Sequence, residues 1–103
     1  MPKLTKPEST FCQVPFCEDV SRLNADVAIF GAPHGTPYKP GVASHAAGGA
    51  TAVRGALSWY SANPEQFDFD SMNTLFGDAT VVDAGNVAGD LADGAANRQA
   101  IFD

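Results

Sequence analysis

Two short runs of apolar residues, each ending in a small-residue loop, dominate the hydropathy pattern of this chain. The first covers residues 25–31 and the second covers residues 79–85, and both contain several β-branched residues. Each run is apolar on both faces of an extended chain, as is typical of a buried strand in a parallel sheet. Periodicity alone also permits a buried helix for runs this short.

A helical pattern lies between the two runs. Its apolar stripe, with members spaced i, i+3, i+4 and i+7, consists of Val53, Ala56, Leu57 and Tyr60. This spacing predicts a helix over residues 50–60 with one core-facing side, ended by Asn63-Pro64. Gly55 inside that helix costs about 1 kcal/mol relative to alanine, and close packing against a neighbour would explain it. The order strand, helix, strand predicts a βαβ unit and the α/β fold class.

The remaining segments add little structure of their own. Residues 1–19 contain three prolines and read as an extended N-terminal lead-in, and a second helix is predicted within residues 85–103. Two parallel strands with two helices bury too little surface for independent stability. We therefore expect that these elements do not make a self-sufficient fold.

Composition and charge exclude several classes of protein. The 103 residues are 45% hydrophobic and 17% charged, which is not typical of a disordered chain. Twelve acidic against six basic residues give a net charge of -6, so a basic patch for nucleic acid or an anionic membrane is not expected. No apolar run approaches the roughly 20 residues of a membrane span, and two cysteines are too few for a disulfide framework. We expect a cytoplasmic protein.

The loop that follows the first predicted strand is the most site-like segment. It spans residues 32–47, which is long for a connection in a compact domain, and ligands of open parallel sheets bind beyond the carboxyl ends of strands. Its two histidines, His34 and His45, are candidates for moving a proton or binding substrate, or else each bonds the loop backbone. Tyr38 is an aromatic wall for a cationic substrate, or loop packing. His34, Tyr38 and His45 are therefore candidate ligand-binding residues, and the loop residues alone leave both interpretations open.

Other chemical motifs are weak or missing. Gly31 and Gly35 do not form a dinucleotide fingerprint, and the sequence contains neither a P-loop nor a G-x-S-x-G nucleophile turn. Asp68 and Asp70 would share one face of a strand and could bind a hard cation, but without further oxygen ligands a surface turn is the simpler interpretation.

Four segments, in the same order, resemble one family, the ureohydrolases, which include arginase and agmatinase. Residues 26–33 look like the first strand and its Gly-x-Pro loop, and residues 38–41, Tyr-Lys-Pro-Gly, resemble the Tyr-Arg-Pro-Gly turn. Residues 49–54 resemble the Gly-Pro-x-Ala-Ile-Arg entry to the first helix. Residues 81–87, Val-Val-Asp-Ala-Gly-Asn-Val, look like the second strand, Val-Val-Asp-x-Gly-Asp-Val. The likeness covers residues 20–103 and is nearest to the agmatinase-like branch. It implies that these residues are the N-terminal, incomplete part of a ureohydrolase-like α/β domain, and we predict that His34, Tyr38 and His45 bind its substrate.

The resemblance implies a three-layer α/β/α parallel-sheet fold and a binuclear Mn²⁺ or Ni²⁺ centre. It also implies hydrolysis of a guanidino compound to urea or a substituted urea plus an amine, in a homo- or hetero-oligomer that is a trimer or hexamer. The family's ligand segments (Gly-Gly-Asp-His, Asp-Ala-His-x-Asp and Asp-x-Asp) do not occur here. We therefore expect no catalytic residue and no metal ligand in this chain, and no activity from the segment alone.

The departures from the family pattern bear on the substrate. Residues 44–47 look like an insertion, Ala50 replaces the usual proline, and Asn86 replaces the usual aspartate. These differences favour a divergent member acting on guanidine or a biguanide rather than on agmatine. A second hypothesis remains open, in which the chain is a non-catalytic interaction chain or a metal-free subunit that folds on a partner, because an isolated βαβ piece exposes apolar strand edges.

Overall fold

A computed structural model describes residues 4–34, 39, 42, 44–89 and 94–102 of the chain. The elements are strands β1 (Leu4–Thr5), β2 (Val27–Gly31), β3 (Phe67–Asp68), β4 (Asn73–Thr74) and β5 (Val81–Val87), and helices α1 (Gly49–Trp59) and α2 (Gly94–Phe102). The two predicted strands and the helix between them are confirmed to within two residues at each end. Neither helix in the described part of the chain is long and apolar enough to cross a membrane.

Three of the strands form one sheet in the order β1-β5-β2. Strand β2 is parallel to β5, with Val27 opposite Val81 and Ile29 opposite Asp83. Helix α1 lies between these two strands in the chain, so the predicted βαβ connection is confirmed. Parallel pairing brings the carboxyl ends of β2 and β5 to the same edge of the sheet.

A β-bulge interrupts this pairing near the carboxyl ends. Ile29 is opposite Asp83 and Gly31 is opposite Asn86, so two steps along β2 match three steps along β5. Gly85 sits inside the bulge at φ +86°, a conformation that favours glycine. Because side chains alternate along a strand, the extra residue places Asn86, rather than residue 85, on the same face as Asp83.

The predicted N-terminal lead-in lies along the other edge of β5. Strand β1 pairs antiparallel with the end of β5, with Leu4 opposite Val87. Further along, the backbone N–H of Asp83 donates to the carbonyl of Pro15 at 2.9 Å, and the N–H of Cys17 donates to the carbonyl of Asp83 at 2.8 Å. Strand β5 therefore has bonded neighbours on both edges and forms the centre of the sheet.

The buried apolar core is small and follows β5. Its members in the described part of the chain are Cys12, Val14, Ala62, Val81, Ala84 and Val87. They come from β5, from the N-terminal segment beside it and from the turn after α1. The interior thus lies between β5, the turn Phe11–Gln13 and the side of α1 that packs on that turn.

Two burial predictions are wrong. Strand β2 is not buried on both faces, since Val27 is 46% and Phe30 is 54% exposed. The apolar stripe of α1 does not face the core either, since Val53 is 54% and Tyr60 is 83% exposed, whereas Arg54 is only 4% exposed. Helix α1 is oriented so that the Arg54 guanidinium reaches a buried carboxylate. Because Arg54 and the apolar stripe lie on different sides of the helix, most of the stripe is left exposed.

The explanation offered for Gly55 is also wrong. A Cβ built on Gly55 would meet no neighbouring atom within 4 Å. Close packing therefore does not require glycine at this position of α1.

Strands β3 and β4 form a separate two-stranded hairpin that the sequence pattern does not predict. Each strand has only two residues, with Phe67 opposite Thr74 and Asp68 opposite Asn73. The rings of Phe67 and Phe69 pack edge to face with centroids 5.1 Å apart. Strands this short have no detectable alternation, which is why the pattern missed them.

Candidate functional site

Three of the four family-like segments meet at the carboxyl edge of the sheet. Gly31 ends β2 and is opposite Asn86 of β5. A Cβ on Gly31 would clash with Oδ1 of Asn86 and would lie 2.8 Å from the Cβ of Ala50 in the first turn of α1. Glycine at position 31 thus permits β2, β5 and the start of α1 to approach one another closely.

The buried side chain of Arg54 connects α1 to the end of β5. Its Nε donates to Oδ2 of Asp83 at 2.8 Å and its Nη2 donates to Oδ1 of the same carboxylate at 2.9 Å, which is a bidentate ion pair. Nη1 donates to Oδ1 of Asn86 at 2.6 Å, and Nη2 also donates to the carbonyl of Gly85 at 3.1 Å. Arg54 therefore binds three residues of the bulged end of β5, namely Asp83, Gly85 and Asn86.

Asp83 is the other half of this cluster and is fully buried. Its carboxylate also accepts hydrogen bonds from the backbone N–H groups of Phe11 and Gly85, both at 2.8 Å. Burial raises the pKa of Asp83, but the hydrogen bonds from Arg54, Phe11 and Gly85 and the charge of Arg54 outweigh burial and hold that pKa below its ordinary value. The cluster stays ionised and ties α1 and the N-terminal segment to β5.

His34 lies three residues beyond β2, at the carboxyl edge where the sequence places a ligand site. The residue is half-buried, and neither ring nitrogen, both buried, has a hydrogen-bond partner. Its backbone N–H donates to the carbonyl of Ala32 at 2.7 Å. Buried polar atoms are nearly always bonded, so the imidazole of His34 is a group whose partner the described chain does not supply.

Of the other two predicted substrate-binding residues, only His45 lies among the described residues. His45 opens the short 3₁₀ turn His45–Gly48 and is exposed. In the part of the chain that the structure covers, no hydrogen bond joins the two histidines. Tyr38 lies outside the described residues.

The reasoning from sequence missed Arg54, Asp83 and Asn86 as members of one cluster. A signal for two of them was present: Arg54 is the only charged residue within residues 49–60, and Asp83 is the only one within residues 79–89. Charged residues inside otherwise apolar elements are seldom buried unless they are paired. That rule predicts an ion pair between Arg54 of the helix and Asp83 of the strand.

The described residues do not fit a binuclear metal centre. No group of three or more His, Cys, Asp or Glu side chains is placed to hold an ion within residues 4–34, 39, 42, 44–89 and 94–102. Asp68 and Asp70 are the pair that the sequence offered as a possible cation site. Oδ1 of Asp68 accepts a hydrogen bond from the backbone N–H of Asp70 at 3.1 Å in an exposed turn. The turn interpretation of Asp68 and Asp70 is the one that this geometry favours.

Comparison with known proteins found no relative of this chain. No protein-family model matches the chain, and no curated protein or solved structure matches it either. The interpretation of the carboxyl edge therefore depends on the sequence motifs and on the contacts described above.

Proposed function

We propose that this chain is the N-terminal segment of a binuclear-metal amidinohydrolase of the ureohydrolase type. The parent protein hydrolyses a guanidino compound to urea or a substituted urea plus an amine, in the cytoplasm and as a trimer or hexamer. One observation carries the proposal: three segments that resemble this family (residues 26–33, 49–54 and 81–87) meet at one edge of the sheet around Arg54.

The chain contributes strands and one lip of the cleft rather than the reaction chemistry. Its part of the site is the carboxyl edge, where the imidazole of His34 has no hydrogen-bond partner among the described residues, together with Tyr38 and His45 from the same loop. The net charge of -6 favours the approach of a cationic guanidino substrate. The family's ligand segments do not occur in the sequence, so the proposal places the Mn²⁺ or Ni²⁺ ligands outside this segment and assigns no catalytic step to it.

A second candidate function is that of a metal-free subunit or interaction chain that folds on a partner. The observation that favours it is the amount of uncovered apolar surface on two elements. Val27 and Phe30 of β2 and Val53 and Trp59 of α1 are each at least 46% exposed. Such surfaces are usually covered in a native protein.

A hydrolysis screen on the native assembly tests the first proposal. The assembly would be purified from its own cells, stripped of metal and supplied with Mn²⁺ or Ni²⁺ separately, with a panel of guanidino compounds that includes agmatine, guanidine, a biguanide and a guanidino acid as substrates. We expect release of urea or a substituted urea from at least one of them with at least one metal. An assembly without activity toward any guanidino compound would contradict the proposal and favour the interaction chain.

The mass of the purified polypeptide separates the two candidates further. A longer polypeptide that carries an Asp-Ala-His-x-Asp segment supports the amidinohydrolase. Activity found only when a separate, ligand-bearing chain is present indicates that this chain is the metal-free subunit of the same enzyme.

A further inference from the structure

The side-chain amide of Asn86 has one defined orientation. Arginine carries only hydrogen-bond donors, so the atom of Asn86 that lies 2.6 Å from Nη1 of Arg54 must be its acceptor, Oδ1. The amide nitrogen, Nδ2, is therefore on the opposite side of the group and presents two N–H donors. The usual ambiguity between the oxygen and nitrogen of an asparagine does not arise here.

Nδ2 of Asn86 is available to a ligand. It donates to no group in the described part of the chain, and the residue is only half-buried. Asn86 belongs to the bulged end of β5, beside Gly31 at the end of β2. Bulges of this kind often re-aim a side chain next to a binding site, and ligands of open α/β sheets bind at this end of the strands.

We propose that Asn86 is a specificity-determining residue whose Nδ2 binds an acceptor oxygen of the substrate, with Arg54 as the positioning residue that orients the amide. This inference rests on the proposed amidinohydrolase function. Arg54 can do this without adding charge to the site, because its own charge is neutralised by Asp83 at 2.8 Å. An aspartate at position 86 would instead place a second carboxylate on the same guanidinium.

The orientation of Asn86 narrows the substrate class. A guanidinium group offers only N–H donors, so it cannot accept the hydrogen bonds that Nδ2 offers. The substrate group that meets Asn86 must instead be a hydrogen-bond acceptor outside the guanidinium. The substrate is therefore a guanidino compound that also carries a carboxylate or a carbonyl oxygen, rather than guanidine or a guanidino amine.

The test compares two substrates of similar length, γ-guanidinobutyrate, which ends in a carboxylate, and agmatine, which ends in an ammonium. Both are measured with the metal-loaded native assembly, as wild type and as Asn86→Asp, which keeps an acceptor for Arg54 but removes the donor. We expect wild type to prefer γ-guanidinobutyrate. In Asn86→Asp the ratio of kcat/KM for γ-guanidinobutyrate to that for agmatine should fall roughly tenfold to a hundredfold, mainly through KM, as for loss of a hydrogen bond to a charged group.

Asn73→Asp is the matched control. Asn73 is exposed in the β3–β4 hairpin, where Oδ1 accepts the N–H of Thr74 at 2.8 Å, so this variant makes the same chemical change and also keeps its acceptor. It should leave the substrate ratio at the wild-type value. An unchanged ratio in Asn86→Asp, or an equal loss for both substrates together with a lower Tm, would overturn the inference and leave Asn86 a purely structural role.

The failure of this inference is distinguishable from failure of the proposed function. Hydrolysis of agmatine or guanidine in preference to γ-guanidinobutyrate overturns the inference and leaves the function standing. If no guanidino compound is hydrolysed, the function fails, and calorimetric titration of the same assembly with γ-guanidinobutyrate decides the inference. Binding that weakens about tenfold or more in Asn86→Asp supports it, and no binding, or equal binding by both proteins, overturns it.

Discussion

The buried contact between Arg54 and Asp83 has the greatest structural importance of any single pair in the described chain. Their side chains are 4% and 0% exposed, and the carboxylate accepts two backbone N–H groups besides the guanidinium. A buried pair gains little net stability over a well-packed apolar pair, because both charges lose their water. Removing one partner is far more costly, since the other charge is then buried without compensation.

Arg54→Met in the native protein should therefore be strongly destabilising. We expect a loss of about 3–5 kcal/mol in the free energy of unfolding, measured by urea denaturation, because Asp83 would remain buried and unpaired. Arg22→Met is the control, since Arg22 pairs with Asp19 at 3.6 Å with 88% of its side chain exposed. That exposed pair is expected to contribute less than about 1 kcal/mol. Similar losses in the two variants would contradict the role given to the buried pair.

Acid should weaken the native protein through Asp83. The pKa of this carboxyl is lower in the folded chain than its unfolded value of about 3.9, because hydrogen bonds and the charge of Arg54 outweigh burial. Its contribution to stability is therefore complete above the unfolded pKa and is lost as the pH falls through the folded pKa. Urea denaturation below pH of about 4 should show this decline, and the decline should be smaller in Asp83→Asn. Equal pH dependence in the variant and wild type would be evidence against this assignment.

The two thiols should differ in reactivity. Burial raises the pKa of the Cys12 thiol, and the residue is 4% exposed, whereas Cys17 is half-buried. Because the thiolate is the reactive form, iodoacetamide should modify Cys17 well before Cys12 in the native protein, as followed by mass spectrometry of peptides. In concentrated urea the two rates should converge. Faster labelling of native Cys12 would mean that the turn Phe11–Gln13 does not protect it.

At the scale of elements, the bulge in β5 decides which side chains reach Arg54. It depends on Gly85 at φ +86°, where a Cβ would clash with the carbonyl oxygen of Thr5 and would lie 3.3 Å from the ring of Phe16. Glycine is thus required for two reasons, the backbone conformation and the closeness of β1. Helix α1 offers the contrast, since Gly55 has open space around it.

Replacing these glycines by alanine should have opposite effects. Gly85→Ala is expected to destabilise the native protein by more than about 1 kcal/mol, from left-handed strain together with displacement of β1. Gly55→Ala should stabilise it by up to about 1 kcal/mol, because alanine is the better helix former and nothing obstructs its methyl group. Thermal unfolding followed by circular dichroism measures both, and a shift in the same direction for the two variants would contradict this distinction.

Prediction of the elements from the sequence succeeded where the hydropathy patterns were long. It failed where contacts between distant residues determine the structure. The apolar runs and the helical spacing located β2, α1 and β5, because strand and helix periods are local properties. The inward face of α1 was predicted wrongly, since the requirement to pair Arg54 is not visible in an apolar stripe. The β3–β4 hairpin and the pairing of β1 with β5 were not predicted at all, because two-residue strands carry no period.

At the scale of the whole molecule, the chain exposes more surface than its size requires. Its accessible surface is 6992 Å², against about 5,500 Å² for a typical folded protein of 10.7 kDa. Several large apolar side chains are exposed, and Trp59, the only tryptophan, is 90% exposed. The described core is correspondingly small.

Trp59 provides a direct measurement of this openness. In the 103-residue polypeptide, acrylamide should quench its fluorescence nearly as well as that of a free tryptophan derivative, because the indole is 90% exposed. The polypeptide should also bind the dye ANS, which reports exposed apolar surface. Strong protection of Trp59 in the polypeptide at concentrations where it is monomeric would show that α1 packs differently from the arrangement described here.

The candidate site stays a prediction, and the structure describes only some of its members. The rule for ligands at strand ends points to the loop after β2, where the two buried ring nitrogens of His34 have no hydrogen-bond partner among the described residues. His45 is not bonded to His34 in the described structure, and Tyr38 lies outside the described residues. Asn86 was noted only as a departure from a family pattern, and its orientation follows from Arg54, which is 32 residues away in sequence.

The sequence alone determined the local properties of this protein: its two longest strands, its first helix, its acidity and the motifs that resemble the ureohydrolases. These depend on residues close together in the chain, so they can be read from periodicity and spacing. Only the tertiary structure decided that Arg54 is the buried side of α1, that a bulge turns Asn86 toward it and that Asp83 holds the N-terminal segment. Each of these depends on satisfying a buried charge with partners distant in sequence, and no local pattern specifies which partners those are.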